Sequence, residues 1–207
     1  MIGVDELFGV VVSWVTKKLG RRQHRGEVLD AIALELHELR FTLTGVLILL
    51  HSKMHTMDQA TVDLIRPTML GYKGEGGDRA LTQAATKLLE QGDAAFIAAH
   101  NQRPTDHAKA YYPMPYTAPL LTAHLGDLTI PAPVRKQLLR VARVLDLFNQ
   151  QVAFVRTAHD RTFESLSSAN YAANDRNLKE GTARLAMMTA DLIVAINDVV
   201  DPEGKRR

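Results

Sequence analysis

"LDAIALELHELRFTLTGVLILL", residues 29–50, decides the fold. Its residues Leu29, Ile32, Leu36, Leu39, Leu43, Val46 and Leu50 recur alternately three and four apart. That spacing keeps one stripe of a helix apolar, as in the seam of helices packed at a shallow angle. The pattern predicts one helix from Arg25–Glu27 to about Met54, roughly 28 residues and some 40 Å long. Its second half, 41–52, carries no charge and is apolar on more than one face, so it calls for cover from several sides.

Downstream, Val134, Leu138, Val141, Leu145, Phe148, Val152 and Val155 form a second seam that continues through His159 and Thr162 to Leu166. Leu178, Leu185, Met188, Leu192, Ile196 and Val199 form a third, closed by Pro202. "SSANYAAND" (167–175) separates these two, with Asn174 or Asp175 expected to cap the final helix. Between the first two seams, residues 79–100 read as one helix with Leu81, Ala85, Leu88, Ala95 and Ala99 inward. Asp78 is its expected cap, after the flexible "GYKGEGGD" (71–78). A short helix from residue 57 is expected to stop at Pro67. The stretch 101–131 is Pro-punctuated, with room for one short helix at 118–124. No alternating strand pattern or internal repeat occurs. The expectation is an all-α chain, an up-down four-helix bundle with long helices plus an N-terminal amphipathic helix.

The 207 residues suffice for one domain with a substantial core. Hydrophobic residues at 46% and charged ones at 23% exclude general disorder. Cysteine is absent, which excludes a disulfide framework and thiolate metal sites. The net charge is only +2, but it is uneven. Lys17, Lys18, Arg21, Arg22 and Arg25 cluster near one end, and Lys205, Arg206 and Arg207 near the other. Without those cations the chain is net acidic. No apolar run is long enough for an ordinary spanning helix. Asp5 and Glu6 precede the first apolar run, where a secretory leader carries basic residues, so no leader is expected.

Residues 3–20 read as a separate amphipathic helix. At 100° per residue, Leu7, Phe8, Val11, Trp14, Val15 and their apolar neighbours fall within roughly 200° of arc. Asp5 and Glu6 in the first turn, with Lys17 and Lys18 in the last, suit the helix dipole. Three partners compete for this face: the bundle itself, a membrane surface, and another copy of the chain. In an up-down bundle the start of the first helix and the end of the last share a pole, so Lys17–Arg25 and Lys205–Arg207 converge beside the apolar face. That favours an anionic membrane surface, where each cation contributes about 1 kcal/mol. The chain therefore divides into an amphipathic and basic segment (1–25), a helical body (26–201) and a basic tail (202–207).

Histidine is the one metal-ligand type present in quantity. His51 and His55, four apart, with Asp58 just beyond, approach a metal set but lack an evident further ligand. No histidine has an acidic residue three positions before it, so the Glu-x-x-His pattern of di-iron bundles is missing. His159 sits on a seam, with Asp160 and Glu164 near; His37 lies off the main stripe and reads as surface. The glycines of 71–78 do not make a phosphate cradle, because Glu75 and Asp78 repel phosphate. "YYPMPYTAPLL" (111–121), with Tyr111, Tyr112 and Tyr116, reads as a loop capping the bundle or as a small recognition surface. No nucleophile motif occurs. Nucleic acid lacks the interleaved aromatic and basic residues it needs.

The expected function is thus a non-enzymatic adaptor or scaffold, cytoplasmic, held peripherally at the inner face of a membrane and bound to another protein. It needs no cofactor. A soluble homo-oligomer using the first helix as its interface, or a metal-binding or hydrolytic bundle using His51, His55 and Asp58, stands as the alternative.

Overall fold

A computed structural model describes residues 4–72, 80–102, 114–163 and 167–201, with the side chains of 4–25, 80–81, 163 and 168 outside the description. Every regular element among those residues is helical, as the seams predict, with no strand among them. Helix α1 is Val4–Met54, α2 Gln59–Gly71, α3 Ala80–Glu90, α4 Asp93–Asn101, α5 Pro119–His124, α6 Ala132–Asp160 and α7 Ser168–Val200. A 3-10 turn, Arg161–Phe163, follows α6.

The separate N-terminal helix is corrected: α1 is continuous for 51 residues, about 76 Å at 1.5 Å per residue. Between the two expected helices stand Gly20, Gly26 and a run rich in Lys, Arg, Gln and Glu. No proline interrupts it, and two isolated glycines cost only about 1 kcal/mol each against alanine.

Other expected boundaries move for local reasons. Pro67 does not stop α2. It sits near the helix end, where it forfeits one backbone bond, and buried Thr68 and Met69 hold the next turn in place. The single helix over 79–100 is two, because Gly92 adopts φ +113, a region open to glycine. Ala85 is buried as expected, but after the break Phe96 and His100 are buried where Ala95 and Ala99 were expected; Leu89 is buried rather than Leu88, and the Leu81 side chain lies outside the description. α7 begins seven or eight residues early. Ser167 accepts from the Asn170 backbone N–H, while Asn174 is buried and donates to the Ala158 carbonyl at 2.8 Å. Asp78 lies outside the described residues.

Leu36 and Leu43 of α1, Val141 and Phe148 of α6, and Leu185 and Leu192 of α7 are fully enclosed in one core. Thr44, Leu47 and Ile48 are buried as well, so the second half of α1 is covered on several faces, as its composition requires. α7 packs along both α6 and α1. Antiparallel pairing of α6 and α7 is fixed at three levels. Arg140 pairs with Asp198 at 2.8 Å, Gln151 donates to the Gly181 carbonyl at 3.0 Å, and Asn174 reaches Ala158. At Gly181 the helices approach so closely that a Cβ would lie 3.1 Å from the Phe154 ring and 3.2 Å from Val155. α5 packs on both α1 and α6. It is held there because the Glu35 carboxylate accepts from the backbone N–H groups of Leu120 (3.0 Å) and Leu121 (2.9 Å), at the positive end of the α5 dipole.

Candidate functional site

A cavity of about 260 Å³ lies between α1 and α3, closed by α2, α4 and the segment before α5. Its wall is mostly apolar: Phe41, Val46, Ile48 and Leu49 from α1, Met69 from α2, and Leu88 from α3. It exists because α3 rests on α2 and α4 rather than along α1. Gly45 contributes an empty position on the α1 wall, where an added Cβ would meet nothing within 4 Å. The exposed Thr42 and Ala84 mark its rim.

His100 supplies a polar, ionisable side chain to the wall. It is 2% exposed and packs on Phe96, ring centroids 4.3 Å apart. The Ser52 hydroxyl donates back to the Ile48 carbonyl at 2.7 Å, so its single proton is spent. The 2.7 Å contact between Ser52 Oγ and His100 Nδ1 must then be the ring N–H donating to the serine. That assigns the tautomer from the network: a neutral ring carries its proton on Nδ1 and its lone pair on Nε2. Thr82 and Tyr116 are the further polar wall residues inside the rim. Among the described lining residues there is no Lys, Arg, Asp or Glu.

Two asparagines fix the surroundings with the same device. Asn101 accepts from the Met57 backbone N–H (2.8 Å) and donates to the Met57 carbonyl (2.9 Å), tying the α1–α2 connection to the end of α4. Asn149 does likewise for Tyr116, at 2.9 and 2.8 Å, and Tyr116 stacks on Phe148. So the described part of the 111–121 loop packs on the middle of α6; Tyr111 and Tyr112 lie outside the described residues. Phe41 stacks on Tyr72 at 3.6 Å, and the Tyr72 hydroxyl donates to Glu38.

The candidate metal residues are engaged elsewhere. His51 Nδ1 donates to the Thr56 carbonyl at 2.9 Å, and His55, at φ +56, donates from Nδ1 to the Asn101 carbonyl at 2.7 Å. Asp58 caps α2 through the Thr61 N–H at 2.8 Å, and hydrogen bonding by the Thr61 hydroxyl, then by that N–H, holds its carboxyl below the usual carboxylate range. Among the described residues, no group of three or more metal-binding side chains is placed to hold an ion. His159 is half-buried beside an exposed Asp160, 3.4 Å away, and Glu164 lies outside the described residues.

His37, expected at the surface, belongs to a polar cluster where α1 meets the end of α7. Arg40 donates to His37 Nδ1 at 3.0 Å and to Asn197 Oδ1 at 2.9 Å. Burial, then the Arg40 charge, lowers the His37 pKa, against the opposing pull of Asp201 and Glu38. Sequence gives no sign of this cluster, since its members lie 157 residues apart.

For the expected contact residues the structure supplies backbone only. Leu7, Phe8, Val11, Trp14, Val15, Lys17, Lys18, Arg21, Arg22 and Arg25 occupy the first half of α1, their side chains outside the description. Lys205, Arg206 and Arg207 lie outside the described residues. Among the described residues no helix is long and apolar enough to cross a membrane. The sequence matches no family model, and no curated protein or solved structure matches it either.

Proposed function

We propose that this chain is a non-enzymatic helical adaptor that attaches peripherally to an anionic membrane surface through the first half of α1. One observation carries the reading. α1 spans about 76 Å, whereas α7, the longest helix packed on it, spans about 50 Å and α6 about 43 Å. A helix that outruns its partners by some 25 Å has a length of surface that they do not reach. In α1 the surplus falls at the amphipathic end, because Asn197 near the end of α7 already bonds to Arg40. Over Val4–Leu19 the apolar residues then form one continuous face, with Lys17, Lys18, Arg21, Arg22 and Arg25 in the next turns. A weak apolar anchor and a cationic cluster are the two signals that stable peripheral attachment needs. Anionic lipid is concentrated on the cytoplasmic leaflet, which is the side this chemistry selects.

The finer architecture we infer is a bundle of four columns in which α2–α5 together replace one long helix. Tyr116 stacks on Phe148 while lining the α1 cavity beside Gly45 and Leu49. α1 and α6 therefore run the same way, both against α7, and the start of α1 shares a pole with the end of α7. For the adaptor role, exposed Leu147 and Phe154 on α6, and Met187 and Val194 on α7, stand seven apart on adjacent helices, a spacing suited to a helical partner.

Trp14 is the only tryptophan, so its fluorescence reports on this segment alone. Mixed phosphatidylserine–phosphatidylcholine vesicles should bind the full chain and shift Trp14 emission to the blue, reversibly in high salt. Phosphatidylcholine alone should do neither. Equal attachment to both vesicles, or to neither, refutes the reading. A mass that rises with concentration and falls on deleting residues 1–25 favours the homo-oligomer instead.

A further inference from the structure

The geometry points to the outer face of α6 and α7 as the interface of a homodimer, in which α6 of each copy lies on α7 of the other. This interface rests on the adaptor reading and supplies its partner: a second copy of the chain. It stands apart from the membrane-facing half of α1.

Each helix carries one narrow strip. At 3.6 residues per turn, Lys136, Arg140, Arg143, Leu147 and Phe154 of α6 fall within about 60° of arc. Glu180, Met187, Asp191, Val194 and Asp198 of α7 do the same. Leu147, Phe154, Met187 and Val194 are each between 37% and 64% exposed, so all four have apolar area left to bury. Over 136–154 the charges on the α6 strip are all positive, and over 180–198 those on the α7 strip are all negative. Arg184 borders the α7 strip, level with the uncharged Gln150. Opposite charge on adjacent strips makes the face complementary to itself.

Charge also selects the symmetry operator. A two-fold axis running along the antiparallel helices places α6 over the partner's α7, basic on acidic. A two-fold axis across them places α6 over α6, like charge on like. A closed two-fold shifts nothing along its own axis, so residues level with each other in one chain meet across the interface. The bonds Arg140–Asp198 and Gln151–Gly181 bracket the levels. Between them Leu147 is level with Met187, and Arg143 with Asp191, to within about one turn. Leu147 then packs on the partner's Met187 at the centre, twice by symmetry, with Phe154 and Val194 on either side. Arg140 and Asp198 are joined within each chain at 2.8 Å, so Arg143 and Asp191 carry the ionic contact between copies.

The test is sedimentation equilibrium of the full chain over a wide range of concentration at low salt. The mass should rise from that of one chain to that of two and stop there. Arg143→Asp sets two pairs of like charges across the interface and should weaken association at least tenfold; Asp191→Arg should do the same. Met187→Asp, at the apolar centre, should weaken it as much. All three positions are exposed, so the urea midpoints of these variants should match wild type. An equimolar mixture of the Arg143→Asp and Asp191→Arg chains should dimerise again, because each new charge meets its opposite on the other chain. Rescue by mixing cannot come from a contact within one chain. A mass of one chain throughout overturns the interface. So does association that survives both Arg143→Asp and Met187→Asp, or a mixture no more associated than either variant alone. Vesicle binding reads the other end of α1, so either result can fail without the other.

Discussion

Two helix-interior glycines should respond in opposite directions to the same added methyl group. Alanine in place of glycine favours a helix by about 1 kcal/mol, through the lower entropy of the unfolded chain. At Gly45 the new Cβ meets nothing within 4 Å, so Gly45→Ala should keep nearly all of that gain. At Gly181 it would sit 3.1 and 3.3 Å from Phe154 ring atoms and 3.2 Å from Val155 Cγ2. Phe154 is 50% exposed and can swing outward, but Val155, at 2%, is locked in the core. Moving α7 away instead would lengthen the 3.0 Å bond from Gln151 to the Gly181 carbonyl. Overpacking by one methyl costs about 1–3 kcal/mol. Gly181→Ala should therefore lose about 1 kcal/mol net. Urea unfolding followed by circular dichroism, at matched m-values, measures both changes. Phe154→Ala removes two of the three close contacts, so it should relieve part of the Gly181→Ala penalty in a double-mutant cycle. If Gly181→Ala stabilises as much as Gly45→Ala, the close approach of α6 and α7 is wrong.

Glu35→Ala removes the carboxylate that accepts two N–H groups at the start of α5, and should cost about 1–2 kcal/mol in urea unfolding; no loss would detach α5 from α1. Gly92→Ala forces an L side chain to φ +113 and should cost about 1–3 kcal/mol; a stabilised variant would mean that α3 and α4 fuse into the single helix their sequence suggests. Because burial and Arg40 lower the His37 pKa, the unfolded chain takes up that proton at a higher pH than the folded one. The stability from neutral His37 is thus complete above about pH 6.5 and is lost as pH falls through the folded value. Urea midpoints of wild type and His37→Gln, measured from pH 8 to 5, should diverge on the acid side; parallel curves refute it. Asp58→Ala should cost about 1 kcal/mol by uncapping α2, with no change in bound metal on elemental analysis.

The seams were legible because periodicity is a local property. Leu36, Leu43, Phe148, Val152, Leu185 and Ile196 are buried where the 3-4 spacing puts them. Boundaries were less legible because they depend on bonds made across the fold. Asn174 read as a cap, yet its side chain is claimed by the Ala158 carbonyl sixteen residues back, leaving Ser167 to start α7. Pro67 read as a stop, yet the burial of Thr68 and Met69 carries α2 past it. Gly92 was the one break whose residue type announced it, a glycine between "LLEQ" and "DAAF", and the surrounding apolar spacing hid it.

The candidate site was illegible for a related reason. An apolar stripe shows that something must cover it, and leaves open whether that cover is the chain itself, a ligand or a lipid. α1 poses the question twice, at Phe41–Leu49 and at Val4–Leu19. In the first case the chain answers only in part: Leu43, Val46, Leu47 and Ile48 are enclosed, while Phe41, Gly45 and Leu49 face a gap that α3 leaves by resting on α2 and α4. That gap depends on where α3 docks and on His100, brought beside Ser52 from 48 residues away. In the second case the side chains of Val4–Leu19 lie outside the description, and what the structure adds is that α1 is longer than either α6 or α7. That length was what the sequence understated, because it read Gly20 to Gly26 as a break.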